Sequence, residues 1–115
     1  MSERIKCVER EFEGLLVSQS ASFRYLNLGD EPGISTCGYI LRLDIRPDES
    51  DRASTKTVEG FIDLDEGNDL LDRMKEYRGR VRATFKPDPL RTRRHYKDQV
   101  TIVDVHAFES VELLD

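Results

Sequence analysis

Apolar side chains alternate with polar ones along several segments of this chain, and this alternation constrains the fold more than any other feature of the sequence. In the clearest segment, residues 38–46, the apolar side chains of Tyr39, Leu41 and Leu43 occupy every second position. Successive side chains of a β-strand point to opposite faces of a sheet, so this period of two is typical of a strand with one buried face. The same alternation predicts three further strands, at residues 56–64, 78–86 and 99–114.

The amino-terminal part of the chain is predicted to contribute one strand and a second, weaker segment. In residues 7–18, Phe12 and Leu16 share one face of a strand, and Gly14 between them marks a bend or a bulge. Residues 22–28 alternate only weakly. They are interpreted either as a short strand or as part of a long loop.

Two further signals organise the middle of the chain. A polar turn separates residues 38–46 from residues 56–64, which predicts that these two strands form a hairpin. One apolar stripe then runs from Leu70 to Tyr77, with apolar residues recurring at helical spacing. This stripe predicts a single short helix over residues 66–77.

The inward faces of these elements define a predicted hydrophobic core. A chain of 115 residues can bury about two-thirds of its unfolded surface, so such a core needs neither disulfides nor a metal ion. The side chains expected to be largely buried are those of Phe12, Leu16, Leu41, Leu43, Ile62, Leu70, Met74, Val81, Phe85 and Val103.

The predicted order of three strands, one helix and two strands resembles the oligonucleotide/oligosaccharide-binding (OB) fold, a five-stranded Greek-key barrel. The resemblance covers nearly the whole chain and is carried by the order of the elements, with residues 22–28 as an extra strand or an elaborated loop. It implies a mainly β fold with one short helix, a small OB-like antiparallel barrel of five to six strands, as a single domain over residues 1–115. An SH3-like barrel and an irregular α+β sandwich are the alternatives.

The sequence predicts a cytoplasmic protein that does not associate with membranes. Its longest apolar runs, at residues 15–17 and 39–41, are far shorter than the roughly 20 residues that span a bilayer. The first ten residues carry charges where a secretion signal needs an apolar stretch. Cys7 and Cys37 have no C-x-x-C spacing, which suits a reducing compartment.

The net charge of -5 conceals a strong segregation of charge along the chain. Residues 1–72 carry eight basic and sixteen acidic side chains, and residues 98–115 carry five acidic side chains and no Lys or Arg. Residues 73–97 hold ten basic side chains against only Glu76 and Asp88. This block predicts a local positive field, unless its cations pair with the neighbouring acidic strands.

No catalytic or cofactor-binding motif occurs in the chain. G-x-S-x-G, P-loop, G-x-G-x-x-G and H-E-x-x-H patterns are absent. The cysteines and the histidines His95 and His106 occur singly, without the spacing of a zinc site. We therefore expect a protein that is not an enzyme and that binds no metal ion or cofactor.

The basic block is interleaved with aromatic residues, which is the pattern of a surface that binds single-stranded nucleic acid. In such a surface, Lys and Arg contact phosphates while an aromatic ring stacks on a base. The alternation places Phe61 on the outer face of its strand, the face away from Ile62. Its ring is expected to be accessible there unless the loop at residues 18–36 covers it. The predicted nucleic-acid-binding residues are Arg80, Arg82, Arg91, Arg93, Arg94, Tyr96 and Lys97, with Phe61 and Arg42 on the neighbouring strands.

Two functional hypotheses follow for this non-catalytic binding module. In the first, residues 80–97 bind single-stranded nucleic acid. In the second, the segregated acidic and basic faces pair with a protein partner or with another copy of the chain, because complementary charges orient association. The state of the basic residues distinguishes these hypotheses, since an exposed positive stripe favours the first and neutralised arginines weaken it.

Overall fold

The structure is a computed structural model that describes residues 10–27 and 35–114. Within these ranges the chain forms seven β-strands, one α-helix and a short 3-10 turn at Arg52–Ser54. The helix α1 follows the third strand and spans Leu64–Met74. The strands are β1 (Glu11–Asn27), β2 (Ser35–Arg46), β3 (Lys56–Asp63), β4 (Arg80–Phe85), β5 (Leu90–Tyr96), β6 (Gln99–Val105) and β7 (Phe108–Leu113).

Five of these strands form one antiparallel sheet in the order β3-β2-β1-β4-β7, and β5 and β6 form a separate two-stranded hairpin. The prediction of a mainly β fold with one short helix is therefore confirmed. The predicted hairpin between the second and third strands is also confirmed, with Leu41 opposite Gly60 and Leu43 opposite Val58. The described part of the chain has seven strands, however, where five or six were expected.

Strand β1 is shared between two neighbours along its length. Its first residues pair with β4, and from Leu15 onward it pairs with β2. The register shifts between Leu16 and Ser18, so the expected irregularity lies beyond Gly14. A Cβ atom on Gly14 would lie 2.6 Å from the Arg46 carbonyl oxygen, and glycine is therefore needed there for close approach of the backbones.

Residues 22–27, the described part of the weakly alternating segment 22–28, form a strand and not a loop. They continue β1 and pair with β2, from Ser22 opposite Ile40 to Asn27 opposite Ser35. The pattern is weak because much of this ribbon extends past the core and keeps both faces accessible to water. The start of the predicted strand at residues 7–9, and residue 28, lie outside the described residues.

The core lies between the sheet and one face of α1. Leu41, Leu43 and Val81 are fully buried, and the helix contributes Leu70 and Met74. Of the ten predicted core residues, eight are buried; Phe12 is half-buried and packs against the core. The expectation for Val103 was wrong, because β6 leaves the sheet and exposes part of this side chain.

The last predicted strand is broken into β6 and β7 at His106 and Ala107, just before the bend expected near residue 108. The expected loop at residues 87–98 contains β5, which pairs with β6 from Leu90 opposite Val105 to Tyr96 opposite Gln99. Sequence patterns missed β5 because Thr92 is the one buried side chain among those described on this strand, so no alternation of apolar residues marks it. The hairpin is thus an insertion between two strands of the main sheet.

The two ends of the main sheet approach each other at β3 and the start of β7. Phe61 and Ala107 form an isolated parallel bridge, in which the Phe61 amide donates a hydrogen bond to the His106 carbonyl at 2.9 Å. On its other side, Ala107 accepts a hydrogen bond of 2.8 Å from the Lys86 amide. The break between β6 and β7 therefore lies between β3 and the end of β4. In the described residues, no helix is long and apolar enough to cross a membrane.

Truncating a core residue tests this assignment of strand faces. Leu43 is fully buried, so Leu43→Ala should lower the free energy of unfolding by about 2 to 5 kcal/mol, as large-to-small core changes do. The measurement is urea denaturation followed by circular dichroism. Val100→Ala, on the exposed hairpin, is the control and should change stability by less than about 0.5 kcal/mol. Equal midpoints for the two variants would contradict the fold described above.

Candidate binding groove

A groove of about 790 Å³ lies between the outer face of strands β1 to β3 and the β5–β6 hairpin. The hairpin forms one wall because its base is anchored on β3, and the long β1–β2 ribbon forms the other. The lining mixes hydroxyl, charged, aromatic and aliphatic side chains: Ser20, Ser22, Arg24, Tyr25, Leu26, Ile40, Arg42, Glu59, Gly60, Thr92, Val103, Asp104, Val105 and His106.

The register of the sheet places the floor residues of this groove in rows. Ser20, Arg42 and Glu59 occupy neighbouring positions across β1, β2 and β3, and side chains at paired positions share a face. The next row toward the hairpin consists of Ser22, Ile40 and Phe61. From the first of these rows to the second, the side chains on β2 and β3 therefore change from charged to apolar.

Phe61 is buried beside the groove and does not line it. As the alternation predicts, Phe61 lies on the outer face of β3 and Ile62 on the inner face. The expectation of an accessible ring was wrong, because only 2% of Phe61 is exposed. It is buried with Leu26 and Ala107, in a second small cluster against which Leu90 and other partly buried residues pack. The base of the hairpin thus contributes to the cover over Phe61, which the sequence did not predict.

Glycine at position 38 makes room for this arrangement. A Cβ atom there would lie 2.7 Å from the Phe61 ring and 2.2 Å from the Ile62 carbonyl oxygen. The absence of a side chain on β2 therefore allows the Phe61 ring to lie against the sheet. The hairpin in turn depends on the buried ring, because Leu90 packs on the same cluster.

Arg42 and Glu59 are opposite each other in register on the charged part of the floor. Neither makes a hydrogen bond or a salt bridge with another side chain that the structure describes. Both side chains are exposed at the groove. They present a cation and an anion, side by side, to any ligand that enters.

The other charges of the groove are already partly engaged. Arg24 donates a hydrogen bond to the Phe23 carbonyl at 2.9 Å. Asp104, which lines the groove, forms an exposed ion pair at 3.7 Å with Arg91 of β5, which does not line it. An exposed pair of this length contributes little stability, so Arg91 is readily available to a ligand.

Asp44 lies one row beyond the groove floor and is held by two hydroxyl groups. Ser18 and Thr57 donate hydrogen bonds to its two carboxylate oxygens at 2.5 and 2.6 Å. These bonds, Ser18 first, lower the pKa of Asp44 below its ordinary value of 3.8, and the charge of Arg42 adds a smaller effect in the same direction.

Arg80 and Arg82 are neutralised on the outer face of β4. Arg82 lies between Glu13 and Glu112, at 3.1 Å from each, and the hydrogen bond that Arg82 donates to Glu13 is the largest cause of its raised pKa. Arg80 pairs with Glu49 at 3.3 Å. Neither arginine lines the groove.

The remaining predicted cations belong to the hairpin. Arg91, Arg93 and Arg94 lie on β5, where the last two pair in register with Ile102 and Thr101; the side chains of Arg93 and Arg94 lie outside the part that the structure describes. Tyr96 is 70% exposed near the tip, and the Lys97 ammonium lies 5.6 Å from the centre of its ring. Lys97 has a φ of 54°, which favours glycine, so this lysine occupies the turn at a cost in backbone energy.

Thr92 is the buried polar residue of the hairpin. It is 4% exposed, and its hydroxyl has no hydrogen-bond partner in the described part of the chain. The residue also lines the groove. A buried hydroxyl without a partner lowers the free energy of unfolding by about 1 to 3 kcal/mol, so Thr92 is expected to destabilise the folded protein.

Sequence reasoning missed several groove residues, of which Arg24, Tyr25, Glu59 and Thr92 matter most. Tyr25 is 72% exposed and forms an edge-to-face pair with Phe23 at 6.0 Å. The combination of arginine and aromatic residues in the segment 23–25 is a signal that could have identified this end of the groove. Thr92 carried no such signal, because its burial depends on tertiary contacts.

Comparison of the chain with known protein families, curated proteins and solved structures found no match. Among the residues that the structure describes, no three His, Cys, Asp or Glu side chains are grouped to hold a metal ion. The geometry and charge of the groove are therefore the basis for assigning a function.

Substitution at Gly38 tests whether the groove depends on Phe61. The Cβ atom of Gly38→Ala would overlap the Phe61 ring and the backbone of β3, so we expect a loss of about 1 to 3 kcal/mol in unfolding free energy. Limited proteolysis should also become faster within the hairpin. Ser22→Ala, at an exposed position of β1, is the control. A stable Gly38→Ala variant with a protected hairpin would contradict this dependence.

The Asp44 hydrogen bonds predict an acid-sensitive contribution to stability. Because the folded pKa lies below 3.8, this contribution is present above that pH and is lost as the pH falls through the folded pKa. Asp44→Asn should therefore have a flatter dependence of unfolding free energy on pH below about pH 4. Asp98→Asn, at the hairpin turn, is the control, since it removes an exposed carboxyl group that forms no side-chain hydrogen bond in the described part of the chain. Parallel curves for Asp44→Asn and wild type would exclude this role of Asp44.

Proposed function

We propose that the chain is a non-catalytic binding module, a single OB-like barrel that binds single-stranded nucleic acid in the groove between β1–β3 and the hairpin. The observation that carries the proposal is the groove itself. Its lining includes Arg42, which forms no salt bridge with a described side chain, and the exposed Tyr25. One wall is the β5–β6 hairpin, which carries further cations outside the lining, at positions 91, 93, 94 and 97.

The strand order supports an OB-like barrel. In the sheet order β3-β2-β1-β4-β7, the first and last strands are brought together by the parallel bridge between Phe61 and Ala107. An OB fold is a partly open Greek-key barrel of five strands, which this order fits when β7 is counted as the fifth barrel strand. The helix α1 then lies between the third and fourth barrel strands, and the hairpin forms the connection between the fourth and fifth.

The position of the groove supports a ligand in the form of a strand of nucleotides. OB folds bind oligonucleotides on the face of their second and third strands and on the loops beside it. Here that face carries Arg42, and the hairpin lies beside it with four cations at positions 91, 93, 94 and 97. The exposed rings of Tyr25 and Tyr96 are suited to stack on bases, since stacking tolerates every base.

The ion pairs of Arg80 and Arg82 narrow the predicted binding surface. Their guanidinium groups are already satisfied by glutamates, so phosphates gain little from them. We assign the phosphate contacts to Arg24, Arg42 and the hairpin cations. Phe61 supports the hairpin from below and does not stack on a base.

The second candidate function, a protein-interaction or self-assembly module, is favoured by a different observation. Val100 and Ile102 on β6 are 56% and 40% exposed, at alternate positions of one strand. A second copy of the chain would bury them, and its acidic surface would complement the basic hairpin. Val100→Asp together with Ile102→Asp should then lower the solution mass, whereas binding to nucleic acid through the groove leaves the mass of the free protein unchanged.

The proposed function predicts a salt-dependent affinity for short single-stranded DNA or RNA. Each phosphate contact contributes roughly 0.7 to the slope of log affinity against log salt. Arg42→Gln and Lys97→Gln should each flatten the slope by about that amount, and Arg93→Gln with Arg94→Gln by about 1 to 1.5. Arg82→Gln is the matched control and should keep the slope, because its ion pairs lie away from the groove.

Replacing an aromatic residue should leave a different signature. Tyr96→Ala should weaken binding by about 1 to 3 kcal/mol while the salt slope stays constant, because stacking releases few counterions. Fluorescence anisotropy with a labelled oligonucleotide at several salt concentrations measures both quantities. If Arg82→Gln flattens the slope and Arg42→Gln does not, the binding surface is β4 and not the groove. The absence of any binding at about 50 mM salt would refute the function.

A further inference from the structure

Two groups in the groove have hydrogen-bonding capacity that the fold does not use. One is the Thr92 hydroxyl, which is buried and has no partner in the described ranges. The other is the Glu59 carboxylate, which is exposed and makes no salt bridge with the Arg42 beside it or with another described residue. Both residues line the same groove, from its floor and from its hairpin wall.

The Glu59 carboxylate determines which ligand groups are favourable near it. An ionised carboxylate has no proton to donate and only accepts hydrogen bonds. A phosphate or a base carbonyl placed against it would be repelled, whereas an amino group would be bound by a charge-assisted hydrogen bond. Of the nucleobases, cytosine, adenine and guanine carry an exocyclic amino group, and thymine and uracil do not.

Thr92 supplies a group that both donates and accepts. Its hydroxyl is covered in the described conformation, and rotation about χ1 moves it to another staggered position. Because the hydroxyl has no partner to lose, a ligand that offers one gains the new bond without breaking an old one. The residue is held in place by the backbone pairing of β5 with β6, opposite Val103.

We propose that Glu59 and Thr92 select bases that carry an exocyclic amino group, with Glu59 accepting from that amino group and Thr92 bonding to the base edge beside it. This specificity rests on the proposed function, in which Arg42 binds the phosphate. It explains why an acidic residue stands next to an arginine on the floor of a groove for a polyanion. Non-specific binding needs only the cations and the tyrosines, so the pair of Glu59 and Thr92 adds discrimination between bases.

The test compares binding of labelled oligo(dC), oligo(dA) and oligo(dT) of equal length to the full chain. Wild type should bind oligo(dC) and oligo(dA) roughly tenfold more tightly than oligo(dT), as expected for one hydrogen bond to a charged group. Glu59→Gln should reduce this preference to within about twofold, since an amide both donates and accepts. Glu109→Gln, the same change at an exposed position of β7 outside the groove, should keep the full preference.

Thr92→Val separates a ligand contact from a purely structural role. Valine has nearly the same shape and removes the unpartnered hydroxyl, so the thermal midpoint of the free protein should rise. At the same time, affinity for oligo(dC) should fall roughly threefold to tenfold. Thr92→Ser retains the hydroxyl and should retain the wild-type preference. A structural role alone would raise the midpoint of Thr92→Val and leave the affinity unchanged.

The outcomes distinguish this specificity from the function on which it rests. Equal, salt-dependent affinity of wild type for oligo(dC) and oligo(dT) would overturn the selection of bases and leave nucleic-acid binding intact. Preference for oligo(dC) that survives in Glu59→Gln and Thr92→Val would overturn the assignment to these residues. No binding of any oligonucleotide at about 50 mM salt would overturn both.

Discussion

The architecture depends on the position of Phe61, whose backbone and side chain make two connections at once. Its amide donates a hydrogen bond to the His106 carbonyl, which joins β3 to the start of β7. Its ring is buried with Leu26 and Ala107, in the cluster on which the base of the hairpin packs. The first connection brings the ends of the sheet together, and the second holds the hairpin over the outer face of β3. Without the buried ring, the hairpin would lose a large part of its apolar support, and the wall that it forms would be less firmly held.

Among the described residues, some charged side chains form ion pairs within the sheet, and others are exposed at the groove without a salt bridge. On the outer face of β4, Arg82 is held between Glu13 and Glu112, so that its charge is cancelled within the sheet. In the groove, Arg42 and Glu59 are neighbours without a salt bridge. The same kinds of residue therefore differ in outcome, because Arg82 forms ion pairs with the glutamates opposite it in register, whereas Arg42 forms none with the glutamate opposite it. The acidic net charge says little about either surface.

In the described part of the chain, the one buried side-chain polar atom without a partner, the Thr92 hydroxyl, belongs to the groove and not to the main core. The main core consists of aliphatic and aromatic side chains, with Leu41, Leu43 and Val81 fully excluded from water. Thr92 and Lys97, in contrast, each carry a local cost, one through a buried hydroxyl and one through a left-handed backbone. Both belong to the hairpin, which contributes little to the main core. Such costs are typical of sites where binding, and not folding, determines the residue.

The alternation of Leu41 and Leu43, and of Val81 and Phe85, by itself determined the mainly β fold, the hairpin of β2 with β3 and most of the core, because a period of two leaves only one way to bury one face of a strand. The stripe from Leu70 likewise determined the one helix. The tertiary structure alone decided that Phe61 is buried, that residues 90–96 form a strand and that Arg82 is neutralised while Arg42 is left without a salt bridge. Burial by a distant hairpin and pairing across strands depend on residues far apart in the chain, and local periodicity carries no information about which of them meet.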